Sequence, residues 1–324
     1  MSRLPLVGVR VVDLSIIWAG PHCTRLLADM GAEVIKVESQ GRFDPIRGPL
    51  QPRQPADGCY PGNEPGERPY NRHGYFNERN RNKLGLCLDL QHPRGRDAFL
   101  RLVAVSDVVV ENFSAGAMDR LGLGYRELRR AKAEIIMASM PSFGCTGPES
   151  HYVGYGATND QMSGIVSVTG YEDGEPQNIG INASDPLAGQ HAAAAILAAL
   201  YHREGTGRGQ FIDLSHRESA VRLMGGPLLD YWLNGRIAGP RGGRLNFASP
   251  QGLYPCVGEE RWLAVVVERD DQWQSLCLAM GRPELADDAR YADVVSRWHR
   301  RRELDAVVGE WTKELSPEEA MEAL

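Results

Sequence analysis

Short apolar runs of β character alternate with helical segments over the first two thirds of the chain, and no other feature constrains the fold as strongly. Residues 8–14, GVRVVDL, make the continuous apolar run of a strand buried on both faces. The turn WAGPHC leads into a helix, TRLLADM, closed by Gly31 at a C-cap-like position. AEVIKVES then reads as a second strand, which completes one βαβ unit and predicts a right-handed crossover between parallel neighbours. The pattern returns with strand NKLGLCLDL, helix PRGRDAFLRLVAVS, strand DVVVENF, helix YRELRRAKA and strand EIIMASMPSFG. Later come strand GRGQFIDLS and helix HRESAVRLMGGPLLDYWLNG. The fold class is therefore α/β, with a doubly wound, Rossmann-like parallel sheet.

Two stretches interrupt this regularity. Residues 41–74 are dense in Pro, Gly, Arg and Asn and longer than an ordinary connection, as functional loops often are. From about residue 241 the character changes: two strands around the turn VGEER suggest a hairpin, and polar helices follow. We expect a large α/β domain over 1–225 and a linker with a smaller α+β domain over 226–324. The chain stops at EEAMEAL, within a helical pattern and without a C-cap signal, which reads as a shortened C-terminus.

Bulk properties exclude more than they assign. A net charge of −6 leaves no basic footprint for nucleic acid. No apolar run reaches membrane-spanning length, and the first residues lack a signal-peptide core. Six scattered cysteines without a CxxC pair argue for reduced thiols in a cytoplasmic enzyme. Gly20-Pro21 opens the first helix, whose free N–H groups suit an anion, but GxGxxG and the P-loop are both missing. Serine hydrolysis lacks its GxSxG elbow, and the eight histidines form no HExxH, so no metal is expected. Asp185, followed by Pro186 and an Ala-rich segment, fits the N-cap of a helix.

The ordered motifs resemble the class III, formyl-CoA transferase-like CoA-transferase family, which also contains carnitine CoA-transferase and the α-methylacyl-CoA racemases. The resemblance rests on GVRVVDLSIIWAGPHCTRLLADMGAEVIKVES, NRNKLGLCLDL, DVVVENFSAGAMDRLGLGY, SFGCTGP, VTGYEDGEPQNIG and DPLAGQHAAAAILAALYHREGTGRGQFIDLS, which follow one another at sensible spacing. It implies an interlocked dimer of Rossmann-like chains, with CoA and acyl-CoA as substrates and no resident cofactor. The partners are an acyl-CoA donor and a carboxylic acid acceptor, and the assembly a homodimer or a heteromer with a sister subunit. The family's catalytic aspartate falls on Asp185. Its CoA-contacting residues fall on Ala19, Lys83, Asn112, Phe113, Arg120, Leu121 and Tyr155. Trp18 stands where formyl-CoA transferase has Gln. Ser39 replaces a basic residue, with Arg42 and Arg47 near enough to substitute.

Racemases of the family use a histidine that would fall on Tyr155. A phenol near pKa 10 serves reversible proton abstraction less well than an imidazole near 6.5, so transfer is favoured over racemisation. A non-catalytic CoA-binding subunit is the other alternative. In the transferase reading Asp185 attacks the acyl-CoA, and Gly242-Gly243 or Ser163-Gly164 are candidate oxyanion donors.

Overall fold

The computed structural model describes residues 4–51, 58–245 and 247–324. Strands β1 (Arg10–Asp13), β2 (Glu33–Glu38), β3 (Lys83–Cys87), β4 (Val108–Glu111), β5 (Ile136–Ser139) and β6 (Phe211–Asp213) form one parallel sheet in the order β3-β2-β1-β4-β5-β6. The expected α/β sheet is present, and each of its strands falls in a run marked as strand above. The strand order reverses direction between β1 and β4. Loops leaving their carboxyl ends diverge to opposite sides there and open a crevice.

Nine helices accompany the sheet among the described residues: α1 (Ala19–Asp29), α2 (Gly74–Arg79), α3 (Pro93–Ala104), α4 (Ala117–Arg120), α5 (Tyr125–Ala131), α6 (Gly156–Met162), α7 (Ser184–Thr206), α8 (His216–Val221) and α9 (Gly225–Asn234). Period-two alternation sends Val11, Val108 and Val110 to one face, where they pack with Leu27 of α1 and Ala188, Ala192 and Ile196 of α7. Val12 and Val109 point the other way, onto Phe99 and Val103 of α3, Met118 of α4 and Leu128 of α5. Small residues let α7 lie close against α1. A Cβ on Gly189 would stand 2.6 Å from the Ala19 carbonyl oxygen and 2.9 Å from His22 Cδ2.

A buried ion pair links the end of β1 to the start of the edge strand β3. Lys83 Nζ donates to Asp13 Oδ2 at 2.9 Å, to the Pro21 carbonyl at 3.0 Å and to Asn80 Oδ1 at 2.8 Å. Burial on its own would raise the Asp13 carboxyl, but Lys83, Lys36 and the Ser15 hydroxyl hold it well below the usual carboxylate range. Removing one partner of such a pair leaves an uncompensated charge, so Lys83→Met is expected to lower stability by about 3–5 kcal/mol in urea unfolding. Because the folded carboxyl titrates lower than in the unfolded chain, this stabilisation is complete above about pH 4 and fades as pH falls below it.

Where one helix was expected over HRESAVRLMGGPLLDYWLNG, the chain forms α8, a 3₁₀ turn (Arg222–Met224) and α9. Pro227 has no N–H to return to the Leu223 carbonyl, and Gly225-Gly226 have low helix propensity, so the path breaks there.

Residues 1–169 and 176–239 form one compact unit; residues 170–175 and 240–324 form a second. The sequence reads as a large domain over 1–225 and a linker with a smaller domain over 226–324, its character changing from about residue 241. Residues 226–239 instead stay with the first unit, as the continuation of α8 into α9. Segment 170–175 belongs to the second unit through Glu172, which pairs with Arg244 at 2.7 Å and Arg301 at 2.6 Å. The second unit contains the antiparallel pair β7 (Gln251–Pro255) and β8 (Trp262–Val266), followed by α10 (Asp270–Ala279), α11 (Val294–His299), α12 (Arg301–Thr312) and α13 (Pro317–Ala323). Its core gathers Tyr254, Val265, Trp273, Leu276, Tyr291, Leu304 and Val308. No helix among the described residues is long and apolar enough to cross a membrane.

Candidate active site

The loop that leaves β1 is held from two sides. Asn112, just past β4, accepts from the Ile16 N–H and donates to the Ile16 carbonyl, both at 2.8 Å. Asp44 accepts from the Ile17 N–H at 2.9 Å, and its other oxygen lies 3.1 Å from Lys36 Nζ. Lys36 in turn donates to the Ser15 carbonyl at 2.7 Å. Between these clamps Ile17 adopts φ 70°, a left-handed conformation that a β-branched side chain rarely takes. Such strain persists where the surroundings over-determine it, and it marks this loop as a place of function. The loop ends at Trp18 and passes into α1, where the N–H groups of Ala19 and Gly20 precede the first intrahelical bond, from His22 to Trp18.

The opposite wall is the start of α7. Asp185 is not its N-cap, as the Asp-Pro pattern suggested: the helix begins at Ser184, and the capping position, Ala183, has no side-chain bond. Asp160 of α6 takes over that role and accepts from the N–H groups of Ala183 at 3.1 Å and Ser184 at 2.9 Å. With the cap supplied from α6, the Asp185 carboxylate is free of the helix and turns to a small cavity. Its Oδ1 lies 3.5 Å from His216 Nδ1, at the first position of α8. His216 Nδ1 also stands 3.4 Å from Asn159 Nδ2, and its buried Nε2 has no hydrogen-bond partner among the described residues.

Asp185 shares a cavity of about 220 Å³ with Trp18, Ala19, Asn112, Phe113, Tyr155, Gly156 and His216. Five of the residues expected from sequence therefore meet: Ala19, Asn112, Phe113, Tyr155 and Asp185. A neighbouring cavity of about 640 Å³ shares Arg42 and Phe113 with it and is lined further by Arg120 and Leu121. Both open at the carboxyl ends of β1 and β4. Lys83 is set apart from the other expected contacts, because its ammonium donates inward to Asp13, Pro21 and Asn80 and lines neither cavity.

Of the two arginines considered as substitutes near Ser39, Arg42 faces the cavities, with its guanidinium carbon 5.3 Å from the Phe113 ring centre. Arg47 is taken up by Glu38, the Tyr70 carbonyl and Asn71. Ser163-Gly164 closes α6 without lining the Asp185 cavity, and Gly242-Gly243 lies in the second unit. Burial raises the Glu111 carboxyl to about 7 against the pull of the Ser139 hydroxyl and the Phe113 N–H, and the latter bond, at 2.7 Å, fixes the turn that carries Phe113.

Sequence reasoning missed His216 and Asp160. A signal for the first existed: Ser215 caps α8 by accepting from the Glu218 N–H at 3.2 Å. A Ser-His-Arg-Glu run just after strand FIDL puts a histidine at a strand's carboxyl end.

Gly156 is sterically bound to the carboxylate. A Cβ there would stand 2.3 Å from Asn182 Cβ and 2.9 Å from Asp185 Oδ2. Gly156→Ala is expected to displace Asp185 and lower kcat/KM by about 100-fold, since angstrom-scale misplacement costs that much. Steady-state kinetics beside a thermal melt checks it.

The family model of CoA-transferase family III matches residues 6–324. The chain is 37% identical over 309 residues to succinyl-CoA–D-citramalate CoA-transferase of Chloroflexus aurantiacus, covering 95% of this chain and 73% of that one. It is 37% identical over 324 residues to succinyl-CoA:mesaconate CoA-transferase of Haloarcula marismortui, covering 98% and 78%. Among solved structures, a CAIB/BAIF family protein from Brucella suis superposes with a TM-score of 0.85 at 32% identity, over 99% of this chain and 81% of that one.

Proposed function

The chain belongs to CoA-transferase family III, and from that premise we propose that it moves CoA from an acyl-CoA donor to a carboxylic acid with Asp185 as covalent nucleophile. The observation that carries this reading is the Asp185 carboxylate itself: 7% exposed, relieved of capping by Asp160, and turned to a cavity at the sheet's switch point. An Asp185 oxygen attacks the thioester carbonyl, and CoA thiolate leaves to give a mixed anhydride. The thiolate then attacks the aspartyl carbonyl carbon and expels the donor acid, which leaves an aspartyl-CoA thioester. The acceptor carboxylate displaces the thiolate, and the thiolate attacks the acceptor's acyl carbon and releases Asp185.

The N–H groups of Ala19 and Gly20, at the α1 N-terminus beside this cavity, are the donors best placed for the oxyanion. Arg42 and Arg120 would meet the phosphates of CoA in the larger cavity, with Phe113 and Leu121 against its apolar parts. Asn112 acts through the loop it braces, because both ends of its amide are bonded to Ile16. Succinyl-CoA appears in the names of both relatives cited above, which supports it as the donor here.

Proton transfer at an α-carbon needs bases on opposite faces. His216, 3.5 Å from Asp185, is too close for a carbon to sit between them, which speaks against the racemase reading. Incubation with succinyl-CoA and a panel of acids, with new thioesters identified by mass, tests the function. We expect acid-dependent thioesters. Loss of α-deuterium from a branched acyl-CoA with no acid transfer would overturn the proposal.

A further inference from the structure

Among the described residues, one group stands within ion-pairing distance of the Asp185 carboxylate: His216, whose Nδ1 lies 3.5 Å from Oδ1. Both side chains are buried, and both line the same cavity. The other carboxylate oxygen, Oδ2, lies beside Gly156, where a Cβ would stand 2.9 Å from it. Glycine keeps a side chain away from Oδ2, while the imidazole sits against Oδ1. The two oxygens of the nucleophile therefore have different surroundings.

The imidazole is set in place by its backbone. The His216 N–H donates to the Pro141 carbonyl at 3.4 Å, and Ser215 caps the helix that His216 opens. The ring proton belongs on Nδ1. Nε2 is buried without a hydrogen-bond partner among the described residues, and a bare N–H is rarer in protein interiors than a bare acceptor. Asn159 Nδ2 lies 3.4 Å from Nδ1, but it lies equally near Ser142 Oγ and keeps that acceptor when Nδ1 carries a proton. A carboxylate is the stronger acceptor for that proton. At 3.5 Å the contact is longer than a working hydrogen bond, and catalytic bonds of this kind tighten as charge develops.

We propose that His216 is a catalytic hydrogen-bond donor to Asp185 Oδ1 and stabilises the oxyanion that forms on the aspartyl carbon. The inference rests on the reading of Asp185 as covalent nucleophile. Oδ2 attacks the acyl carbon, and the resulting anhydride keeps Oδ1 as its aspartyl carbonyl oxygen. When CoA thiolate attacks that carbon, the electron pair moves onto Oδ1. It returns as the bond from the aspartyl carbon to Oδ2 breaks and the donor acid leaves with Oδ2. The acceptor carboxylate then attacks the thioester, charges Oδ1 a second time and expels the thiolate. No proton changes hands; Nδ1–H donates throughout. The N–H groups of Ala19 and Gly20 serve the acyl oxygen, so the two carbonyl carbons have separate donors.

The test uses the full chain with succinyl-CoA and radiolabelled succinate, whose entry into succinyl-CoA requires the aspartyl-CoA thioester to form and break down. His216→Leu is expected to slow this exchange by about 10²–10³-fold, the cost of one oxyanion donor. His216→Asn places an amide N–H where Nδ1 stood and should stay within about tenfold of wild type. His216→Gln reaches the Nε2 position instead and should behave as the leucine variant does, with a polar side chain if leucine is not tolerated. Hydroxylamine then reports where the reaction stops. With succinyl-CoA, wild type should yield the Asp185 hydroxamate, from the thioester. In His216→Leu and His216→Gln the product should shift to free succinyl hydroxamate, from the anhydride, above the level formed with Asp185→Asn protein. The ratio of free to protein-bound hydroxamate should rise at least about tenfold. A structural role alone would lower both products together. An unchanged ratio in a folded His216→Leu or His216→Gln, or equal exchange rates in His216→Asn and His216→Gln, overturns the inference while the transfer reading stands. A wild type that forms no Asp185 hydroxamate overturns the nucleophile reading itself, and the inference with it.

Discussion

Asp185→Asn is expected to lower CoA transfer by at least about 10³-fold and to change stability by less than about 1 kcal/mol. The amide nearly matches the carboxylate in shape but has no anionic oxygen to attack a thioester. The fold should survive because the α7 N-terminus does not depend on this side chain: Asp160 holds the N–H groups of Ala183 and Ser184. Asp160→Asn is the complementary case, because a cap is weakened while the nucleophile stays, and it should cost about 0.5–2 kcal/mol of stability. Kinetics and urea melts on the two variants separate the roles. Near-wild-type turnover by Asp185→Asn would refute the nucleophile, and a large stability loss there would show that the carboxylate is structural after all.

Asn112→Ala is expected to lower kcat/KM by about 100-fold without touching any reacting atom. Its amide bonds both the N–H and the carbonyl of Ile16, one residue before the strained Ile17. Each lost bond is worth about 1 kcal/mol, and a left-handed β-branched residue stores about 1–3 kcal/mol that relaxation would release. The loop would shift Trp18 and the opening of α1, and displacement of this size carries a penalty of about 10² in rate. Kinetics with the donor held saturating checks it, together with melting, where the lost bonds and the released strain nearly offset and a net change of less than about 1 kcal/mol is expected. Unaltered kcat/KM would mean that Asp44 alone holds the loop.

Much of the fold was legible because its central strands carry short apolar runs, such as Val11-Val12 and Val108–Val110, whose alternation across the sheet leaves little freedom of register. Val11 against Val12, and Val108 and Val110 against Val109, sort themselves to the two faces. The helix over 216–235 misled because propensity outside Gly225-Gly226-Pro227 is helical, and the missing Pro227 N–H decides the path locally. Segment 170–175 joins the second unit through Glu172 and arginines distant in sequence, a pairing no window can show.

The site was partly legible. Asp185 stood out by motif order, yet its local Asp-Pro signal argued for the wrong role. The true cap comes from Asp160, 23 and 24 residues before the N–H groups it accepts from. Lys83 looked like a ligand contact by alignment of motifs, whereas charge balance around buried Asp13 draws it inward.

The central claim, that CoA passes through Asp185, is tested most directly by trapping. The protein is mixed with succinyl-CoA without an acceptor, reduced with borohydride, digested and mapped by mass spectrometry. An aspartyl-CoA thioester predicts reduction of Asp185 to homoserine in the peptide spanning the start of α7, dependent on the acyl-CoA and lost in Asp185→Asn. Full transferase turnover with Asp185 unmodified, or reduction at another carboxylate, would contradict it.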